Sequence, residues 1–409
     1  MLTAYWKNAY KNRFKLIKPG VFWMGSSPVQ RETMNKWNET IRPSDEMLVN
    51  ENYHLVKIER PFYVDAFPTT VPDFDMFDSA YGYEKLMSKA ARDNESPGLV
   101  DVWRWGKGSD VRSQACIWSG NGEERNDKNG IKTTEKERYG WAKQKLNAKS
   151  AWRDVCWNFS YEAFDLACER KEEPQTVNKI FCQGFDNPVV GVNRKEIFEY
   201  VNWLNKTDRI QKAYKDMLGF EPTFRLMSEA EYEYCQRAGA CSIFPWGDEP
   251  EGAREYANVA DEGMKIITDV EWERPFDIAR SRSPQEKEEG RMFAMTSPVG
   301  AFEPNNFGLY DMTGNVLEAT ADVFTPDYSG EPEAYHGATY DERCQKIREF
   351  YAHQENAYFN QDFVCKGGAW CGGPDVCRSA SRIPRNGWFR SDYLGFRICF
   401  DAKDQDENR

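Results

Sequence analysis

FVCKGGAWCGGPDVCRSASRIPRNGWFRSDYLGFRICF, residues 363–400, is the stretch around which the rest of the chain is read. Glycine-aromatic anchors hold both ends, Lys366-Gly367-Gly368-Ala369-Trp370 and Leu394-Gly395-Phe396-Arg397, while the residues between them are small, polar and irregular. Paired glycines permit positive φ or close backbone approach, and the apolar flanks Phe363-Val364 and Ile398-Cys399-Phe400 read as sheet strands. The pattern is a display segment between fixed anchors. A plain surface loop near a chain end is the competing reading.

Outward from that segment, the composition sets bounds. The chain has 409 residues, 40% hydrophobic and 14% aromatic, enough for a packed core, while 29% charged residues imply long elaborated loops. A net charge of -12 offers no basic stripe to neutralise phosphates, so no nucleic-acid partner is expected. No long apolar run occurs and Met1-Leu2-Thr3-Ala4-Tyr5-Trp6-Lys7 lacks a signal-peptide pattern, so no membrane insertion is expected either. Eleven cysteines without a repeating framework suggest reduced thiols and a cytoplasmic or virion-associated location.

Residues 14–25 read as two strands broken at Pro19-Gly20, and 54–66 as another pair around Pro61. Residues 72–81 begin with proline and place Phe74 and Phe77 on one side of a short helix. The region 84–186 is Trp-rich, charged and weakly periodic; it reads as an insertion, with a Thr134/Glu137 capping box opening a helix through Lys145. A buried strand and a helix bearing Ile197, Tyr200, Val201 and Leu204 fill 187–206. The Ser228/Glu231 capping box opens a second helix that Ala238-Gly239 ends. Two charged stretches, 261–290 and 327–360, read as loop insertions into a single domain spanning 1–409.

KPGVFWMGS, PFYVDAFPTTVPDFDMF, NPVVGV, RLMSEAEYEYCQRAGA with FPWGDE, SPVGAFEPNNFGLYDMTGNVLEATAD, and CKGGAW to LGFR follow one another in an order that resembles the formylglycine-generating enzyme (sulfatase-modifying factor) family. The resemblance implies an α+β, C-type-lectin-like fold: a twisted antiparallel sheet, two helices and many long loops. It also implies a copper site of two cysteines, since soft thiolates suit Cu(I). Here GGAWCGGPDVC supplies Cys371 and Cys377, displaced and differently spaced from the family's pair, so copper is not expected and Cys377 reads as structural. His54, His336 and His353 are dispersed and form no iron cluster. A structural calcium is expected at DMTGNVLE, where Asp311, the carbonyls of Gly314 and Val316, and Glu318 match the family's ligands. A second calcium loop, from Tyr256, has Arg291 near where a carboxylate belongs.

The display segment also resembles the C-terminal segment of diversity-generating-retroelement variable proteins, whose asparagine codons are randomised at adenines. Adenine mutagenesis of an AAC codon never yields Lys, Glu, Gln or Met, and none of these stands between Gly368 and Gly395. The expected recognition surface is Trp370, Cys371, Gly372, Gly373, Asp375, Val376, Ser381, Ile383, Arg385, Trp388, Phe389, Ser391, Asp392 and Tyr393, presented to a protein or surface ligand. A copper-dependent oxidase making formylglycine from a peptide cysteine, and a scaffold component of a secretion or motility assembly, are the alternative functions.

Overall fold

Pro19-Gly20 breaks the first apolar run, and two strands result, Phe14–Ile17 and Gly20–Met24. The first pairs antiparallel with Phe62–Asp65 and the second with His54–Ile58. The computed structural model describes residues 13–39, 41–70, 73, 74, 76, 77, 187–260, 296–337, 339–353, 359–391 and 393–403, with short strand pieces at 99–101, 116–117, 125–126 and 132–133. The capping box at Thr134 and nearly all of the 84–186 and 261–290 insertions lie outside the described residues, as does Arg291.

Two four-stranded sheets organise the rest. One runs Phe14–Ile17, Phe62–Asp65, Cys399–Asp401, Phe224–Arg225, and the other Ile383–Asn386, Asp362–Lys366, Leu317–Val323, Leu394–Gly395. Each neighbouring pair is antiparallel except Leu317–Val323 with Leu394–Gly395. The first anchor therefore leaves the interior strand Asp362–Lys366, and the second begins on the edge strand Leu394–Gly395.

The helix Arg194–Lys206 starts at a full capping box, Asn193 with Glu196, and turns Ile197, Tyr200, Val201 and Leu204 into the core as their spacing requires. Glu229–Arg237 starts at the Ser228/Glu231 box and ends with Ala238 at φ 44. Asp73, Phe74, Met76 and Phe77 are helical, with both phenylalanines fully buried.

Two expectations change and one helix is added. The strand anticipated after Asn187 reduces to one bridge, Thr70 with Pro188, because proline gives no N–H to a ladder and Gly191 turns the chain at φ 75. Helix Asp208–Leu218 follows Arg194–Lys206 after a single residue. The stretch 327–360 is not merely loop: it contains the helix Tyr340–Ala352, whose Cys344, Ile347 and Tyr351 form a narrow buried stripe. Tyr351 accepts the Leu226 N–H at 2.9 Å and Tyr335 donates to the Leu226 carbonyl at 2.8 Å, so this segment closes the core. No helix among the described residues is long and apolar enough to cross a membrane.

Candidate functional site

The paired glycines set the geometry of the C-terminal segment. Gly367 and Gly368 sit at φ 91 and 72, and a Cβ on Gly368 would lie 2.4 Å from the Cys377 Sγ and 2.9 Å from its Cα. The chain thus turns sharply and packs directly on the helical turn Pro374–Cys377. Trp370 donates its backbone N–H to the Asn315 carbonyl at 3.0 Å and is 1% exposed, while the Gly372 carbonyl accepts the Ala260 N–H at 3.1 Å.

This placement divides the expected recognition surface. Trp370, Gly372, Gly373, Asp375, Ser381, Phe389 and Ser391 are buried, whereas Cys371, Val376, Ile383, Arg385, Trp388 and Tyr393 are half-buried. Asp392 lies outside the described residues. The segment is not free loop, because it runs back through the molecule as strands. Ile383–Asn386 pairs with Asp362–Lys366, Phe389–Ser391 runs parallel to Leu99–Asp101, and the Ser391 carbonyl accepts the Gly191 N–H at 2.7 Å. Small polar residues that read as display are used for internal hydrogen bonding.

What stays accessible gathers at one end. The Arg385 guanidinium lies 4.9 Å from the Phe389 ring centre, and Phe389 meets Tyr393 at 6.0 Å. Trp388 donates to the Asn360 side chain at 2.9 Å and lies 5.9 Å from the Lys195 ammonium. Ile383, Pro384 and Asn386 complete the accessible strand.

Beneath it is a buried ionic frame that the sequence reading missed. Lys366 donates to Glu233 at 2.8 Å and to the Ser379 carbonyl at 2.9 Å; Glu233 also accepts from Arg237 and from the Gly25 N–H at 2.9 Å. Burial alone would raise the Glu233 carboxyl, but Lys366 and Arg237 outweigh it and hold it down at about 2. Arg378 grips Glu51 with both arms, at 2.6 and 2.7 Å, and Arg382 grips Glu229 through its Nε and one arm, the other arm donating to the Asn50 carbonyl. The cations of CRSASR are clamps. The only signal available was their position next to the glycine anchors.

The expected calcium ligands do not fit an ion as folded. Both Glu318 oxygens accept from Arg397, at 2.7 and 2.6 Å, with all partners buried, so a metal at Glu318 would face a guanidinium. Asp311, at φ 54, accepts the Gly300 N–H at 2.8 Å, and burial pushes its carboxyl up to about 6 against that bond and the Arg397 charge. Gly314, at φ 76, hydrogen-bonds the Gly367 carbonyl, and Val316 is buried. The cation that Glu318 meets is the protein's own.

Copper fits no better. The Cys377 thiol is fully buried with its Sγ 3.7 Å from the Gly372 carbonyl; burial, reinforced by Asp375, pushes it well above the usual thiol range. Cys371 is half-buried in the turn. A Cu(I) dithiolate needs two sulfurs aimed at one point, and Cys377 sits under Gly368 with its Sγ directed at the Gly372 carbonyl.

The model of the sulfatase-modifying factor enzyme 1-like domain matches residues 7–402. The chain is 30% identical over 198 residues to a formylglycine-generating enzyme of Mycobacterium tuberculosis, covering 47% of this chain and 56% of that one. It is 32% identical over 222 residues to that of Bos taurus, covering 53% and 44%. The chain thus spans about half the length of the curated relatives it matches. PvdO from Pseudomonas aeruginosa superposes over 95% of this chain and 94% of its own, at 19% identity and a TM-score of 0.46.

Proposed function

The chain belongs to the sulfatase-modifying factor enzyme 1-like domain family, with its α+β, C-type-lectin-like formylglycine-generating-enzyme fold, and on that premise we propose that it is a non-catalytic recognition protein. Its ligand face is the accessible end of the C-terminal segment, with Arg385, Trp388 and Tyr393 as anchors and a protein or cell-surface ligand as partner. The observation that carries this reading is Cys377: a thiol fully buried under Gly368 with its Sγ directed at the Gly372 carbonyl is a packing residue and a poor copper ligand. Arg385 lies on a strand and Trp388 and Tyr393 on the turns beside strands, and aromatic and guanidinium groups are the side chains that carry affinity at recognition surfaces. The absence of Lys, Glu, Gln and Met between Gly368 and Gly395 supports an origin of the segment in adenine-directed codon variation.

The test is a Cu(I) titration against a chelator of known affinity, then incubation with a sulfatase-type cysteine peptide and mass analysis. Copper should stay with the chelator and the peptide thiol should persist. A parallel screen of the immobilised protein against a panel of cell-surface proteins should yield a ligand that an Arg385→Ala/Tyr393→Ala variant no longer holds. Stoichiometric copper that vanishes in Cys371→Ala or Cys377→Ala, with aldehyde formed on the peptide, would replace this reading with the oxidase.

A further inference from the structure

The hairpin of Gly20–Met24 and His54–Ile58 has two faces. Phe22 and Val56 turn inward and pack on the cluster of Met227, Tyr232 and Cys235, with Phe22 5.3 Å from the Tyr234 ring. The alternation of the pleat sends Val21, Trp23 and Leu55 outward, at 58, 50 and 57% exposure, and sets Trp23 opposite Leu55. Tyr53, one residue before the second strand, stacks on Trp23 at 4.8 Å and is also exposed. Of the seven large hydrophobic side chains exposed among the described residues, four are on this hairpin or next to it, so bare apolar surface is concentrated here.

The hairpin also has an unguarded edge. Edge strands invite pairing with other chains, and proteins blunt them with charge, proline or short length. Every other strand at a sheet edge among the described residues is two residues long or carries a charge or a proline: Phe14–Ile17 has Lys15, Ile383–Asn386 has Pro384 and Arg385, and His54–Ile58 has Lys57. Gly20–Met24 reads GVFWM and has neither. Beyond its pairing with His54–Ile58, it makes no backbone hydrogen bond among the described residues. Its flanks are tied inward to the helix Glu229–Arg237, where Tyr234 donates to the Lys18 carbonyl at 3.3 Å and Glu233 accepts the Gly25 N–H at 2.9 Å. The far strand is tied instead to the 326–337 stretch, with Asn52 donating to the Pro326 carbonyl at 3.5 Å and Arg60 to that of Gly337 at 2.6 Å.

We propose that Gly20–Met24 pairs antiparallel with the same strand of a second copy, across a two-fold axis at Phe22, so that two chains share a four-stranded sheet. The strand is its own complement in that register. Val21 of each copy falls opposite Trp23 of the other on the outer face, and Trp23, flanked by Leu55 on one side only, gains an apolar neighbour on the other. GVFWM is uncharged, so no like charges are opposed. One unguarded edge per hairpin makes the contact close at two copies. Five residues a side bury less than the about 1,200 Å2 of a stable interface, so monomer and dimer exchange with concentration.

Sedimentation equilibrium of the full chain over a concentration series tests this. The wild type should pass from monomer to dimer and stop there, and added salt should strengthen the dimer because each copy carries a net charge of -12. Val21→Lys, which supplies the missing guard, should weaken association at least about tenfold. Leu55→Lys, on the same face but on the far strand, should change it by no more than about twofold. Val21 and Leu55 are exposed, so both variants should keep the wild-type near-ultraviolet circular dichroism. The register has its own readout: in a Cys241→Ser background, Val21→Cys mixed with Trp23→Cys should oxidise to a cross-linked mixed dimer in preference to either variant alone. A monomer up to the solubility limit, growth past the dimer, or cross-linking no better in the mixture would overturn the proposal. Equal loss in Leu55→Lys would overturn it in favour of face-to-face stacking, and flotation of a monomer with phosphatidylcholine vesicles, lost in Trp23→Ser, in favour of a lipid contact.

Discussion

Lys366 carries its charge to a position with no exposed surface, where Glu233 and the Ser379 carbonyl take its donors. Such a pair stabilises only while both members are ionised. Glu233 has a folded-state value of about 2, below its ordinary 4.5, so its contribution is complete above pH 4.5 and is lost as pH falls towards 2. Lys366→Met should lift that depression, moving the acid-unfolding midpoint to higher pH and costing about 3 kcal/mol at neutral pH, measured by urea denaturation across pH. Glu318 gives a second residue-scale prediction. Glu318→Gln leaves Arg397 buried without its partner and should cost about 3–5 kcal/mol, while chelator leaves the wild-type melting temperature unmoved. A chelator-induced drop would restore the calcium expected from the motif. Neither pair was legible beforehand: Glu318 read as a calcium ligand and Lys366 and Arg397 as parts of the anchors, and only the partner across the fold shows the ion pairs.

At the scale of elements, the capping boxes at Asn193 and Ser228 and the chain break at Pro19-Gly20 are local chemistry, and the chain follows them. The helix Tyr340–Ala352 escaped because three buried side chains among thirteen residues leave a weak periodic signal among charges. The C-terminal segment misled in the opposite direction. Its small residues resemble a loop, yet Ser381 and Ser391 are small because strands and turns pack against them. Gly368 tests the point. Gly368→Ala meets both a positive φ and the Cys377 side chain and backbone, and should destabilise by about 2 kcal/mol or more, read by urea denaturation. A change below about 0.5 kcal/mol would show that the turn relaxes freely.

For the whole molecule, the order of blocks along the chain specified the family and its fold, since six short motifs follow one another across the 7–402 stretch that the family model matches. What no block could show is which strands meet. Cys399–Asp401 lies inside its sheet, between Phe62–Asp65 and Phe224–Arg225. Ending the chain at Ile398 should therefore abolish cooperative unfolding rather than trim a tail, as judged by near-ultraviolet circular dichroism. Retention of a sharp thermal transition would place the stability elsewhere.

The same strand sets a timetable for synthesis. Phe62–Asp65 leaves the ribosome long before its neighbour, which emerges only after the whole of 66–398 has been translated. Until then one edge of Phe62–Asp65 stands unpaired, a template for wrong partners on neighbouring nascent chains. Closure of this sheet waits for that late strand, and the yield of native protein should rise when a holdase chaperone is present during translation.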